Sequence, residues 1–290
     1  MTRAGAWIEA VRLRTLPVSI SGVLAAAGYV AASGTDADWK WAPVCLVFAV
    51  LAQIASNFAN EYFDYRDGID TAQGRRGPER GVANGIITPR AMLAATLATL
   101  GIACLIGLLT LLRGGWEMLP CGIVIALGAL GYSAGPYPFS RHCLGEVAVI
   151  LLYGLAPVVL TVYLLTLTLP AGAWITGAAI GLWGAMVLLV NNYRDIDADR
   201  AAGKHTLSTL MGPQGSALLF CALGQLAGLG LWLGGGSSWG ALPVIPMALG
   251  FMGGFALFRG GLTGAGCTRL LAITSCLLFI ATFFQTILAL

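Results

Sequence analysis

Nine stretches of this chain are each about as long as a lipid bilayer is thick, and they carry almost no charge. A helix needs roughly 20 apolar residues to cross the hydrocarbon core, where only helices and closed barrels satisfy their backbone hydrogen bonds. The pattern therefore predicts an all-α integral membrane protein of about nine transmembrane helices. The predicted spans are 15–33, 41–60, 91–112, 117–133, 144–166, 171–191, 215–233, 240–258 and 269–290.

The composition agrees with a chain that uses lipid as its solvent. Hydrophobic residues make up 58% of the 290 residues and charged residues only 10%, whereas soluble domains average about 25% charged residues. The net charge is only +3, and no basic run with interleaved aromatic residues occurs, so we expect no nucleic-acid partner. The lipid bilayer is the expected environment.

The basic residues fall mostly on one side of the predicted spans. Fourteen of the 16 Lys and Arg residues lie in the N-terminal segment and in the loops near 61–90, 134–143, 192–214 and 259–269. Only Lys40 and Arg113 lie on the other side. Because cytoplasmic loops of membrane proteins carry an excess of Lys and Arg, this asymmetry predicts a cytoplasmic N-terminus.

Seven of the 13 acidic residues fall in two short segments, each of which follows a long apolar run. In the first segment, four polar residues stand at helical positions i, i+3, i+4 and i+7, which share one face. These four residues are Asn57, Asn60, Glu61 and Asp64. Gly68 is expected to end that helix, which leaves Asp70 on the following loop.

The second acidic segment repeats this arrangement later in the chain. Asn191, Asp195 and Asp199 stand at i, i+4 and i+8, again on one helical face, while Asp197 points roughly the opposite way. Two helices would thus each present an Asn and carboxylates at the cytoplasmic end of a span. The weak repeat suggests two related halves, roughly 1–140 and 141–290, within a single transmembrane domain of 1–290.

Clustered carboxylates at a membrane repel one another and are costly, so they are expected where a cation compensates them. Oxygen ligands suit Mg²⁺, which also bridges to phosphate oxygens. The residues assigned to the metal are Asn60, Glu61, Asp64, Asp70, Asn191, Asp195 and Asp199. The basic residues that can hold the remaining phosphate charge are Arg75, Arg76, Arg80, Arg194, Arg200 and Lys204. Together they predict a Mg²⁺–diphosphate site, although a single such Asp would more simply be a solvated loop charge.

Several blocks of the chain also resemble a known family. They are Arg14-Thr15-Leu16-Pro17, 57–71, 75–80, Tyr132 with 135–138, 144–146 and 191–206. At these residues the sequence resembles the UbiA superfamily of intramembrane aromatic prenyltransferases over nearly its whole length, with one departure at Glu61, where the family usually has Asp. The resemblance implies helices around a central cavity, capped on the cytoplasmic side by the two acidic loops, with Mg²⁺ holding the diphosphate and a side opening for the prenyl tail.

The resemblance further implies an activity and a place. A polyprenyl group would pass from a polyprenyl diphosphate to an electron-rich aromatic ring, at the cytoplasmic face of the bacterial cytoplasmic membrane. The block 75–80 resembles the branch that prenylates 1,4-dihydroxy-2-naphthoate with loss of its carboxylate, which gives a demethylmenaquinol for menaquinone biosynthesis. The residues given catalytic roles are Asp64, Asp195, Tyr132 and Glu146. Those given to substrate binding are Asn57, Arg75, Arg80, Lys204, Arg14 and Arg194.

Two of these assignments have plain structural alternatives. Tyr132 would contact the diphosphate or the allylic carbocation, but it also suits an interfacial aromatic belt. Glu146 would orient the acceptor or assist proton removal, but it also suits a helix N-terminus. Arg14 would meet phosphate, and Arg12 fits an orientation charge better.

Other functions remain as alternatives. Another acceptor such as 4-hydroxybenzoate satisfies the same chemistry. A secondary transporter also uses membrane acids, but it would carry them near mid-span, whereas here they sit at the ends of the runs. A CDP-alcohol phosphotransferase would need a continuous Asp-Gly-x-x-Ala-Arg block, which this chain lacks.

The charge asymmetry gives a topology prediction. In a variant whose seven cysteines are replaced, a cysteine introduced as Ala72→Cys should resist a membrane-impermeant thiol reagent until the membrane is opened. Asp36→Cys, in a loop predicted on the opposite side, is the matched control and should react from outside. Labelling of Ala72→Cys in sealed cells would contradict the predicted orientation.

Overall fold

The computed structural model describes residues 2–70, 78–235, 239–262 and 264–290, and these residues form a helical bundle. Seven helical segments are long and apolar enough to cross a membrane. They are Leu16–Ser33 (α2), Trp41–Arg66 (α3), Pro89–Gly114, Gly145–Thr166, Ala171–Arg194 (α9), Leu207–Gly235 (α11) and Gly264–Ala289 (α13). The segment Pro89–Gly114 consists of two helices, Pro89–Leu109 (α4) and Leu111–Gly114 (α5). The chain is therefore a multi-pass membrane protein, as its composition predicts.

Two further apolar helices coincide with predicted spans but are shorter. Met118–Gly131 (α6) has 14 residues and Val244–Phe258 (α12) has 15, fewer than the roughly 20 that a perpendicular crossing needs. The count of nine spans therefore stays a prediction. Both acidic segments extend helices beyond their predicted ends, since α3 continues to Arg66 and α9 to Arg194.

A short helix precedes the first span and was not predicted. It covers Arg3–Val11 (α1), with Thr2 as N-cap. Its Ala6 and Ala10 are buried, and its Trp7 ring meets Phe58 of α3 edge-on. Helix α1 is thereby fixed against the end of α3 that carries the first acidic segment.

The predicted span 144–166 is interrupted in its middle. An α-helix at Gly145–Val149 (α7) passes into a π-helix at Ile150–Leu155, and the α-helix resumes at Ala156–Thr166 (α8). Gly154 in the π-helix lies directly on Gly177 and Gly181 of α9, so the two backbones touch. Small residues at helix interfaces permit such close approach in membranes.

Helix α9 is the central element. It is the most buried of the seven long segments, and it packs against α2, α7, the π-helix, α8, α11 and α13. Its Ile180, Trp183 and Met186 side chains are fully enclosed. After α9 the chain turns at Asp195 and forms Ile196–Ala201 (α10), so the end of the most buried long helix sets the position of the second acidic segment.

Two loops on the same side of the bundle as the acidic segments are joined through their backbones. The Cys143 amide donates to the His205 carbonyl at 3.0 Å, and the His205 amide donates to the Arg141 carbonyl at 3.3 Å. The loop before α7 is therefore tied to the loop after α10.

The contact between the π-helix and α9 predicts a destabilising substitution. A Cβ added at Gly154 would overlap Gly181 Cα and lie 2.5 Å from the Gly177 carbonyl oxygen, so Gly154→Ala must push the helices apart at a cost of about 1–3 kcal/mol. Thermal unfolding in detergent should show a lower midpoint. Gly122→Ala is the control, because an added Cβ there meets nothing within 4 Å; equal midpoints would contradict the close packing.

Candidate active site

A cavity of about 420 Å³ lies at the end of the bundle where α3 and α9 end. It gathers most of the side chains that the sequence singled out. The predicted residues that line it are Arg14, Asn57, Asn60, Asp64, Asp70, Arg80, Tyr132, Asn191, Arg194, Asp195, Asp199 and Lys204. Both acidic segments thus contribute to one cavity, although some 130 residues separate them.

The two Asn residues of α3 are committed to different partners. The Asn57 amide donates to the Val11 carbonyl at 2.9 Å, and its Oδ1 accepts from Gln53 at 3.2 Å. The Asn60 Oδ1 accepts from Arg12 and, at 3.2 Å, from Arg80, while its Nδ2 donates to Ser133 at 2.9 Å. The Asn60 oxygen therefore faces two guanidinium groups.

Arg80 joins two of the predicted acids. Its Nε lies 3.0 Å from Asp70 Oδ2, and its Nη1 lies 3.7 Å from Glu61 Oε2. Glu61 also accepts from the Val82 amide at 3.1 Å and does not line the cavity. The carboxylate of Glu61 thus holds the loop after the first acidic segment, and Arg80 reaches the cavity from that loop.

Asp64 is paired with a residue that the sequence did not single out. Arg141 donates to Asp64 Oδ1 at 3.0 Å and to Asp67 Oδ2 at 2.6 Å. Asp67 also accepts from Arg66 at 2.7 Å, and these two arginines hold the pKa of the Asp67 carboxyl below its usual value, Arg66 more strongly. Arg141 therefore fastens the loop before α7 onto the first acidic segment.

The end of α9 departs from the continuous helical face that the spacing predicted. Asp195 is the C-cap, with φ −101° and ψ 10°, and α10 starts at the next residue. Arg194 donates to both Asp195 oxygens, at 2.9 and 2.6 Å, and to Asn191 Oδ1 at 2.8 Å. Asn191, Asp195 and Asp199 still line the same cavity, because the break spans a single residue.

Asp199 has a longer ion-pair contact than Asp64, Asp70 or Asp195. Its Oδ1 lies 3.5 Å from Lys204 Nζ, and its Oδ2 is buried with no hydrogen-bond partner among the described residues. Burial raises the pKa of the Asp199 carboxyl above its usual value. This oxygen can accept a further cation or donor.

The other predicted residues occupy the cavity or its wall. Tyr132 lines the cavity at the C-cap of α6. Glu146 is buried behind the wall, where its Oε1 accepts from Asn192 at 3.0 Å and its Oε2 has no hydrogen-bond partner in the part of the chain that the structure describes. Arg14 is nearly half exposed and pairs with Glu9 at 3.2 Å. Arg75 lies outside the described residues.

Sequence reasoning underrated two arginines. Arg12 was interpreted as an orientation charge, but it lines the cavity and bonds Asn60. Burial, followed by the charge of Arg80, lowers the pKa of Arg12 to about 9. Arg141 carried no motif signal in its own segment. Both form contacts with residues 48 or more positions away, which local spacing does not reveal.

The carboxylates are compensated by side chains rather than gathered around one point. Within the described ranges, no group of three His, Cys, Asp or Glu side chains is close enough to hold a metal ion. Asp64, Asp195 and Asp199 are each paired with Arg141, Arg194 or Lys204. Their oxygens are nevertheless the ligand type that Mg²⁺ prefers, and the buried Asp199 Oδ2 has no hydrogen-bond partner. The oxygens of these three aspartates therefore fit a divalent metal, which would take the place of the Arg and Lys side chains paired with them.

Relatives with assigned functions match most of the chain. A 1,4-dihydroxy-2-naphthoate octaprenyltransferase from Mycobacterium tuberculosis is 35% identical over 225 residues, which cover 77% of this chain and 75% of the relative. The enzyme of the same description from Escherichia coli is 33% identical over 226 residues, which cover 73% and 70% of the two chains.

Solved structures and a family model agree on the fold. A UbiA homolog from Archaeoglobus fulgidus, bound to DMAPP and Mg²⁺, superposes with a TM-score of 0.66 at 15% identity, covering 97% of this chain and 99% of the other. A UbiA homolog from Aeropyrum pernix gives the same TM-score at 16% identity over 91% and 96% of the two chains. The model of the UbiA prenyltransferase family matches residues 21–283, and with its helical bundle and its cavity of paired acids the chain belongs to that family.

Proposed function

We propose that this protein transfers a polyprenyl group from a polyprenyl diphosphate to 1,4-dihydroxy-2-naphthoate, with loss of the carboxylate, to give a demethylmenaquinol of menaquinone biosynthesis. The observation that carries this is the single cavity in which carboxylates from the ends of α3 and α9 converge with arginines and a lysine. The two relatives named above are 1,4-dihydroxy-2-naphthoate octaprenyltransferases. The site would face the cytoplasm from the bacterial cytoplasmic membrane.

The residues that would hold Mg²⁺ are Asp64, Asp195 and Asp199, with Asn191 beside them. The metal would supply positive charge to the oxygens of the diphosphate leaving group. Asn60 and Glu61 were also assigned to the metal by spacing, but their oxygens contact Arg12, Arg80 and the Val82 amide. We therefore assign the metal first to the three aspartates, with Asp70 held by Arg80 at the edge of the site.

The cations that now neutralise the aspartates would serve the diphosphate. Arg194 and Lys204 line the cavity beside Asp195 and Asp199. If a metal took these carboxylates, Arg194 and Lys204 would each be free to bind a phosphate oxygen. Planar guanidinium groups bind such oxygens bidentately, and they stabilise the negative charge that develops as the allylic C–O bond breaks.

The hydrocarbon tail has an apolar place beside the polar cavity. A second cavity of about 90 Å³ lies among α2, α3, α4, α6 and α8, and it shares Tyr153 with the first. Its wall includes Val23, Phe48, Ile125 and Leu160. A donor with an anionic head and an apolar tail would thus meet both kinds of surface in one site.

Two further residues have roles near the reacting groups in this proposal, Tyr132 toward the prenyl donor and Glu146 toward the acceptor. Tyr132 lines the cavity, where its ring can face the allylic carbocation. The buried Glu146 reaches the site through Asn192, so it would position that side chain or take up a proton from the acceptor. These roles follow the family resemblance and the placement of the two side chains.

Charge removal tests the metal and diphosphate site. Asp64→Asn and Asp195→Asn should each lower the rate of diphosphate release at least about 100-fold, because each variant loses a hard anionic ligand. The exposed Asp197 gives the control, and Asp197→Asn should stay within about twofold of the unmodified protein. Full activity of Asp195→Asn, or activity in excess chelator, would contradict the site.

Stability must be measured alongside, because the pairs also hold the fold. In Asp195→Asn the buried Arg194 loses its carboxylate partner and keeps neutral acceptors among the described residues, namely the new amide oxygen, Asn191 and Thr268. In Asp64→Asn the Arg141 guanidinium keeps the Asp67 carboxylate. Thermal unfolding midpoints in detergent separate a lost ligand from a lost fold.

The acceptor assignment is tested with purified protein and one prenyl diphosphate. Prenylation of 1,4-dihydroxy-2-naphthoate should release one carbon dioxide per product, which labelled carboxylate detects. 4-Hydroxybenzoate is the comparison substrate, and we expect little product from it. Prenylation of 4-hydroxybenzoate with its carboxylate retained, and none of the naphthoate, would overturn the acceptor but not the family or the aspartates.

A further inference from the structure

Five basic side chains line the main cavity, and four of them have a carboxylate partner. Arg14 pairs with Glu9, Arg80 with Asp70, Arg194 with Asp195 and Lys204 with Asp199. Arg12 differs, because within the described segments its hydrogen-bonded partner is the neutral Asn60 amide, and no carboxylate lies within ion-pair distance. Glu61 and Asp64 act on Arg12 only from beyond that distance, so this partly buried guanidinium can bind a further anion in the cavity.

The backbone is arranged to hold Arg12 in this place. Arg12 caps α1 with a φ of 58°, a left-handed conformation that is unfavourable for a residue with a side chain. The preceding carbonyl, that of Val11, accepts from Asn57, which is fixed by Gln53, which in turn accepts from Ser19. Asn57 is therefore a positioning residue: three hydrogen bonds from α2 and α3 fix the backbone before Arg12, and Asn60 accepts from its guanidinium.

The surroundings of Arg12 suit an aromatic acid better than a diphosphate. Tyr132 and Tyr153 both lie close enough to interact electrostatically with Arg12, and both line the cavity. Of the three aspartates assigned to the metal, Asp195 and Asp199 lie at and beyond the end of α9 with Arg194 and Lys204. The third, Asp64, is paired with Arg141 and acts on Arg12 only from beyond ion-pair distance. A guanidinium beside two aromatic rings matches a flat molecule that carries a carboxylate on its edge.

We propose that Arg12, set on Asn60 and positioned by Asn57, binds the carboxylate of the aromatic acceptor and orients its ring in the cavity. This inference rests on the proposed prenyl transfer to an aromatic acid, but not on which acid is used. Arg80 suits this role less well, because its guanidinium is already paired with Asp70 and Glu61.

The test compares two ligands that differ by one group. Dissociation constants of 1,4-dihydroxy-2-naphthoate and 1,4-dihydroxynaphthalene, which lacks only the carboxylate, are measured with the full-length protein in detergent under reducing conditions. The unmodified protein should prefer the acid by about 10- to 100-fold, as expected for a hydrogen bond between charged groups. Arg12→Gln should abolish this preference while the affinity for the naphthalene stays unchanged. Arg12→Lys should retain part of it, because a point charge replaces the planar fork.

Controls separate this role from structural and diphosphate effects. Arg3→Gln removes an exposed cation from the same helix and should keep the full preference. The KM for farnesyl diphosphate should stay within about twofold in Arg12→Gln and Arg12→Lys. An unchanged preference in both Arg12 variants, no preference in the unmodified protein, or a rise in the donor KM in place of the acceptor effect would overturn the inference. Failure of the proposed function would appear separately, as absence of naphthoate prenylation by the unmodified protein.

Discussion

Carboxylates at the end of a membrane bundle persist only where positive charge compensates them, and this requirement organises one whole end of the structure. Removing one partner of a buried ion pair costs about 3–5 kcal/mol, so the pairs here hold the fold as well as the site. Arg141 reaches back from the loop before α7 to Asp64, and Lys204 reaches from the loop after α10 to Asp199. Segments that are far apart in the chain are thus tied together by the same charges that an anionic substrate would use.

The scaffold meets this requirement by breaking helices where polar groups are needed. Asp195 interrupts the helical path after α9, and Arg12 ends α1 in a left-handed conformation. Each break places a charged side chain at the cavity. Helix α9, which ends at Asp195, is the most buried long helix, and its glycines let the π-helix approach to backbone contact. Close packing in the bilayer core thereby fixes the geometry of a site that lies at its edge.

Sequence periodicity predicted which residues meet, but not which atoms they contact. The positions of the long helices follow from apolar runs, and helical spacing brought Asn60, Asp64 and Asp195 to one cavity. Spacing also grouped Glu61 with them, although its carboxylate binds the Val82 amide. The pairing of Arg141 with Asp64, across 77 residues, depends on the packing of whole helices. Helix α1 was missed because nine residues are too few for an apolar run to stand out.

The choice of amide or acid at the helix ends decides how the cations are shared. Asn60 offers a neutral oxygen to Arg12 and Arg80, so it orients both guanidinium groups without neutralising either. An aspartate at this position would form an ion pair with Arg12. The Arg12 charge that we propose binds the acceptor would then already be neutralised by the protein. The aspartates at 195 and 199 instead carry charge where a metal and a diphosphate would exchange partners with Arg194 and Lys204. With a neutral oxygen at Asn60 and charged oxygens at 195 and 199, the acceptor carboxylate would bind at Arg12 and the diphosphate at the metal ligands. Both substrates would still share one cavity.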